Sequence, residues 1–250
     1  MSSAELKSIR RSIIETSFKA QAGHIPSALS IVEILYVMYG SVKKDDDIFV
    51  LSKGHGCLAL YSVLAHFDLI NKKDLENFCE YDSLLGGHPH RGKHKEFYCS
   101  AGSLGHGLPM SVGTALAKRI SKSPGKVYCL IGDGESNEGT IWESFLLAKN
   151  LQLDNLVCIV DDNNSQTRSL PVYELENKIR NFGWNVVTVD GHDTRSLVSS
   201  LSSSEGLSCV ICKTTKGKGI TDMENNTFAW HHGPPNNEEY EQFMEELKDA

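Results

Sequence analysis

Apolar positions along this chain follow two periods. Leu6, Ile9, Ile13 and Phe18 recur at helical spacing behind a Ser2/Glu5 capping box, which predicts a helix ended by Gly23. A second helix is expected from near Ser27 or Ser30 to about Tyr39, with Ser30 and Glu33 as its capping pair. Short unbroken apolar runs then appear: Ile48 to Leu51, the run ahead of Gly132, Leu156 to Val160, Trp184 to Val189 and Ser208 to Lys213. Runs of this length, bounded by turn residues, predict strands buried on both faces. Helical segments lie between them: Cys57 to about Phe67, a short one from Asp74 to Tyr81, Leu108 to Ser121, Glu138 to Asn150, Tyr173 to Asn181 and Thr194 to Leu201. An acidic helix, Asn237 to Asp249, closes the chain, and Asp45-Asp46-Asp47 reads as a solvated turn. Strands alternating with helices predict an α/β fold, a mainly parallel central sheet with helices on both faces. Two long stretches, 82–107 and 220–235, carry no clear period and read as loops, and loops of that length tend to be functional or disordered.

Size and composition narrow the class. The 250 residues, 40% hydrophobic, suffice for one substantial core, and no repeat or linker divides the chain, so 1–250 is expected to be a single domain. A net charge of −7 argues against nucleic acid as the main partner. No apolar run approaches the roughly 18 residues of a membrane span, and the N-terminus lacks a signal-peptide core. A cytoplasmic protein with reduced cysteines is expected, with no membrane partner. Cys209 and Cys212 form a C-x-x-C pair, but on a strand residues three apart face opposite ways, so they read as core cysteines.

Candidate chemistry gathers at two strand ends. After one strand comes Gly132-Asp133-Gly134-Glu135-Ser136-Asn137-Glu138-Gly139, a tight turn with a carboxylate between glycines and then a helix start. After the next comes Asp161-Asp162-Asn163-Asn164-Ser165. Two parallel strands joined by a helix bring both ends to one sheet edge, where carboxylate, amide and carbonyl oxygens meet a helix N-terminus. That set suits a hard cation carrying a phosphate. An EF-hand is excluded, because Gln166 stands where glycine is needed and Val172 where the bidentate Glu is needed. The first run also lacks the last glycine of a G-x-G-x-x-G dinucleotide loop.

Gly132-Asp133-Gly134 followed by Asn163-Asn164 resembles the thiamine-diphosphate signature. The surrounding motifs narrow the resemblance to the transketolase family: Ser52-Lys53-Gly54-His55-Gly56, Gly86-Gly87-His88-Pro89, Gly102-Ser103-Leu104-Gly105-His106-Gly107-Leu108, Gly132 to Gly139, and Trp230-His231-His232-Gly233, in family order. The resemblance implies the diphosphate-binding type of the thiamine-diphosphate fold. It covers only the family's N-terminal part and so implies the N-terminal subunit of a split transketolase. Such a subunit would move a two-carbon ketol unit from a ketose or ketose-phosphate donor to an aldehyde acceptor. A C-terminal subunit carrying the pyrimidine-binding domain would complete the site, in an α2β2 assembly.

Residue roles carry over position by position. Asp133, the Asn163 side chain and the Ser165 carbonyl would hold Mg²⁺, with Ca²⁺ as an alternative. Gly132, Gly134 and Glu135 would meet the diphosphate through the backbone, with His55 nearby, and Gly102 and Leu104 would touch the cofactor rings. His24, His55, His88 and His231 would handle substrate hydroxyl protons, which suits a side chain whose ordinary pKa of about 6.5 lies near neutrality. Glu138 matches a family glutamate between active sites. Where the family has glycine or proline-glycine after the first histidine, this chain has Ile25-Pro26, which is expected to reshape the floor of the substrate site. His90, His94, His192 and His232 match no family position and read as surface residues. His66 reads as a partly buried core histidine, and Lys53 either contacts phosphate or is solvated. Three other classes stay open: the α subunit of a 2-oxoacid dehydrogenase, a non-catalytic transketolase-like binding protein, and a flavodoxin-like nucleotide binder.

Overall fold

The structure is a computed structural model that describes residues 2–166, 170–227, 229–230 and 233–248. Five strands form one sheet: β1 (Ile48–Leu51), β2 (Val127–Gly132), β3 (Leu156–Asp162), β4 (Asn185–Asp190) and β5 (Ser208–Lys213). Their order is β1-β2-β3-β5-β4, and every pairing is parallel. The strand side chains alternate between two cores. Phe49, Leu51, Tyr128, Leu130, Val157, Ile159, Val210 and Cys212 join one cluster, which also takes in α1 (Ser3–Ala20), α2 (Ile25–Leu29), α3 (Val32–Val37) and α4 (Cys57–His66). Helices α8 (Thr194–Ser202) and α10 (Asn237–Glu246) close that face. Val50, Cys129, Ile131, Cys158, Val160, Cys209 and Ile211 join the other cluster, under α5 (Gly107–Ile120), α6 (Gly139–Asn150) and α7 (Leu175–Asn181). Cys209 and Cys212 thus fall on opposite faces, as strand geometry requires, and both are free thiols. Among the described residues no helix is long and apolar enough to cross a membrane.

The first helix is capped as its sequence predicts, with Ser2 and Glu5 exchanging bonds, although it ends at Gln21 in the left-handed region rather than at Gly23. The expected second helix is in fact α2, α3 and a π-helical turn over Met38–Val42. Ser30 and Glu33 do not cap it. The Ser30 hydroxyl bonds Asp161, and Glu33 is buried against Arg10. Pro26 lies in the first turn of α2, where a missing N–H costs nothing, so Ile25-Pro26 begins a helix. Residues Lys72–Asn77 form a 3₁₀ turn instead of the helix expected from Asp74 to Tyr81. A short helix α9 (Thr221–Asn225) interrupts the expected 220–235 loop. The 82–107 stretch buries Leu85, Phe97 and Cys99 and packs on the core as an ordered loop.

Strand β3 runs two residues beyond the apolar segment and takes in Asp161 and Asp162. Strand register then fixes the edge where chemistry is possible. Gly132 pairs with Asp161, Asp161 with Cys212, and Asp162 with Lys213. The turns after β2, β3 and β5 therefore lie side by side at the C-terminal edge of the sheet, beside the turn after β1.

Candidate active site at the C-terminal edge of the sheet

Asp161 is the buried centre of this edge. Its side chain is fully covered and accepts from Ser30 Oγ at 2.8 Å, Asn163 Nδ2 at 2.8 Å, the Lys53 ammonium and the Thr214 hydroxyl. Lys53 is 1% exposed, so it is not solvated as one sequence alternative held; its ammonium also donates to the Ser27 carbonyl at 3.1 Å. A buried carboxylate with this many donors is held in one orientation. It fixes Asn163 in turn, because an amide that donates Nδ2 to Asp161 turns Oδ1 the other way, where it accepts from Ser165 N at 3.1 Å. Asn164 between them takes a left-handed φ of 58°, which asparagine tolerates.

Asp133 stands on the neighbouring turn. Its Oδ1 accepts from Gly134 N at 2.8 Å and from Ser165 Oγ at 2.9 Å, which ties the turn after β2 to the turn after β3. Burial, with the charge of Asp161 nearby, pushes the Asp133 carboxyl above its usual range. A buried anionic group of this kind is stabilised by a cation. The oxygens gathered here are those of Asp133, Asn163 and Ser165, all hard donors. Among the described residues no three His, Cys, Asp or Glu side chains converge to hold a metal by themselves. The donor set therefore fits a hard ion that takes its remaining oxygens from a bound phosphate.

Glu135 has a role that its sequence position did not reveal. Its side chain, 2% exposed, accepts from Ser52 Oγ at 2.5 Å, Gly105 N at 2.8 Å and Gly132 N at 3.1 Å. One carboxylate thus joins the turns after β1 and β2 to the loop carrying Gly102 and Leu104. Gly105 takes φ +80°, and a Cβ there would lie 2.6 Å from Glu138 Cβ and from Thr140 Oγ1, so only glycine lets the loop approach α6. The Thr140 hydroxyl bonds the Gly105 carbonyl at 2.8 Å. Gly102 and Leu104 are exposed at the rim, and His106 folds back on Ser103 and on the Leu104 carbonyl.

Three of the four predicted histidines come together. The His24 and His55 rings stand edge to face at 5.4 Å. A Cβ at Gly54 would lie 3.1 Å from the His88 ring and 2.5 Å from Ala101 Cβ, so the turn holding His55 is pressed against the His88 and Gly102 loops. Burial, then the charges of Lys53, His24, Lys216 and His88, pushes His55 down to about 2. It is a neutral imidazole at any working pH. Burial also lowers the pKa of His88, which remains exposed on one side. His231 and His232 lie outside the described residues.

Sequence patterns missed Asp161, Lys216 and His192. Lys216 is 4% exposed; burial and the Lys53 charge lower its pKa, opposed by Asp133 and Asp161. His192 is not a surface residue, since its ring bonds Glu33 and the Thr215 amide. Two aspartates directly behind five apolar strand residues, and a lysine between threonine and glycine after another strand, were the available signals. Neither pattern shows burial by itself. His66 is partly covered beside Glu5, as expected.

A family model described as transketolase, thiamine diphosphate binding domain, matches residues 1–248. One of the two subunits of an apulose-4-phosphate transketolase, from Actinobacillus succinogenes, is 40% identical over 97% of this chain and 94% of its own length. The 6-deoxy-6-sulfo-D-fructose transketolase subunit of a Clostridium species is 36% identical over 86% of this chain and 85% of its own. The crystal structure of transketolase from Campylobacter jejuni superposes with a TM-score of 0.86 at 27% identity, over 99% of this chain. The chain spans only 43% of that full-length enzyme. The parallel sheet, its diphosphate-type edge and these likenesses together mean that the chain belongs to the transketolase family, as a thiamine-diphosphate-binding transferase subunit of the kind found in two-subunit transketolases.

Proposed function

We propose that this chain supplies the metal and diphosphate half of an active site that a second polypeptide completes. Asp133, the Asn163 side chain and the Ser165 carbonyl would hold Mg²⁺, or Ca²⁺ in its place, and two diphosphate oxygens would fill out its shell. The backbone at Gly132, Gly134 and Glu135 would meet the diphosphate, and Gly102 and Leu104 the rings. Bound thiamine diphosphate supplies the electron sink for making and breaking the ketose C2–C3 bond. This chain's part is to bind, orient and move protons. His24, His55, His88 and His231 would accept and return hydroxyl protons of the sugar. The neutrality of His55 suits it to hydrogen-bonding a hydroxyl rather than repelling a neighbouring cation.

The observation that carries this proposal is the convergence of three imidazoles and two buried lysines around the Asp133–Asn163 edge. The pyrimidine-binding module would lie on a partner chain in an α2β2 complex working in the cytoplasm. The donor would be a ketose or ketose phosphate. The names of the two subunit relatives favour specialised sugars, so apulose 4-phosphate and 6-deoxy-6-sulfofructose head the panel to assay. The test compares the purified chain with the chain co-expressed with its partner, both with thiamine diphosphate and Mg²⁺. Ketol transfer is expected only from the pair; transfer by the chain alone would refute the shared site.

A further inference from the structure

A buried relay outside the cofactor edge holds one of its cations. After β5 the chain runs through residues 214–218, and each of its fixings comes from a different element. Thr214 N donates to the Asp162 carbonyl at 3.1 Å, and its hydroxyl bonds Asp161. Thr215 N donates to His192 Nε2 at 2.8 Å. Gly217 N donates to the Pro26 carbonyl at 3.0 Å, and Arg10 Nε donates to the Lys218 carbonyl at 2.8 Å. Lys216 sits at the middle of this strap, and its ammonium feels Asp133 and Asp161.

His192 and Arg10 are not independent. With Nε2 accepting from Thr215, the His192 proton must be on Nδ1, which donates to Glu33 Oε2 at 3.0 Å. Glu33, 4% exposed, also receives Arg10 Nη2 at 2.7 and 2.9 Å. The guanidinium that grips Lys218 and the imidazole that grips Thr215 thus share one buried carboxylate. His192 is brought up by the turn after β4, where a Cβ at Gly191 would lie 2.4 Å from Thr214 Cγ2, so that turn packs directly on the strap.

We infer that His192, Glu33 and Arg10 form a positioning relay that fixes the strap at Thr215 and Lys218 and so aims the Lys216 ammonium at the cofactor diphosphate. His192 and Glu33 touch neither substrate nor cofactor in this scheme. Their effect on binding passes through Lys216, and the inference rests on the cofactor assignment proposed above.

The relay predicts which replacement of His192 works. Glutamine can place an acceptor oxygen near the Nε2 position and keep the Thr215 bond. Asparagine reaches only the Nδ1 position and keeps the Glu33 contact while losing the strap. The experiment titrates thiamine diphosphate with Mg²⁺ into the assembled two-chain complex by calorimetry, for the wild type, His192→Gln, His192→Asn, Lys216→Met and the His192→Asn/Lys216→Met pair. Thermal midpoints are recorded alongside. His192→Asn is expected to weaken cofactor binding about tenfold, the scale of one misplaced charged contact. His192→Gln should stay within about threefold of wild type. In the Lys216→Met background His192→Asn should add no further loss, because coupled residues are non-additive. Equal weakening by Gln and Asn, or losses that add fully in the pair, would overturn the relay. A wild-type complex that takes up no cofactor would instead overturn the cofactor assignment beneath it.

Discussion

The Asp161–Lys53 pair offers the sharpest test of how this edge is held. Asp161→Asn keeps the size of the side chain. Three donors converge on Oδ2, from Lys53, Ser30 and Asn163, and the Thr214 hydroxyl alone meets Oδ1. An asparagine can therefore turn its oxygen to the three donors and its amide to Thr214, whose hydroxyl can rotate to accept. What disappears is the negative charge opposite an ammonium that is 1% exposed. An unpaired buried charge costs about 3–5 kcal/mol, a large part of a total stability that is typically about 5–15 kcal/mol. In urea unfolding followed by circular dichroism at one chain concentration, with a slope of about 3 kcal/mol/M, the midpoint should fall by roughly 1 M or more. The added change Lys53→Met removes the stranded ammonium, so the double variant should recover at least about 2 kcal/mol of the loss. A loss below about 1 kcal/mol in Asp161→Asn, or additive losses in the pair, would refute the account of this ion pair.

Two further outcomes follow from the same geometry. His55 has a folded pKa lowered to about 2 by burial and neighbouring cations, so the unfolded chain binds the extra proton. The stability this contributes is complete above the ordinary histidine pKa of about 6.5 and is lost as pH falls toward 2, at up to about 1.4 kcal/mol per pH unit. Proton NMR should show the His55 ring still neutral at pH 5, and a ring titrating near 6.5 would contradict its burial. Gly105→Ala puts a Cβ 2.6 Å from Glu138 Cβ at φ +80°, so it should destabilise by about 1–3 kcal/mol and loosen the loop that bears Gly102 and Leu104, read as faster amide exchange over residues 102–106. Unchanged exchange there would count against the close approach of loop and helix.

Much of the fold could be read from the sequence because a parallel sheet imposes long apolar runs and helices impose their own period. The strands came out within two residues of their observed ends, and the C-x-x-C pair resolved by strand alternation alone. The failures share a cause. The break of the second helix into α2, α3 and a π turn reflects Ser30 and Glu33 being claimed by Asp161 and Arg10, which are distant in sequence. Lys53, Lys216 and His192 look like surface residues in any local window, and only the register of β2, β3 and β5 buries them. Asp133 and Asn163 could be found because a turn motif marks each one. Asp161 could not, since a charged residue inside a strand signals burial only once its partners are known.

The central claim is that a divalent ion joins Asp133 and Asn163 to a diphosphate at this edge. Crystals of the two-chain complex grown with thiamine diphosphate and Mn²⁺ test it most directly, through the anomalous signal of the metal. The account predicts one peak within about 2.5 Å of an Asp133 carboxylate oxygen, Asn163 Oδ1 and the Ser165 carbonyl, in contact with two phosphate oxygens. Cofactor density with no metal peak there, or a peak held by other residues, would contradict it.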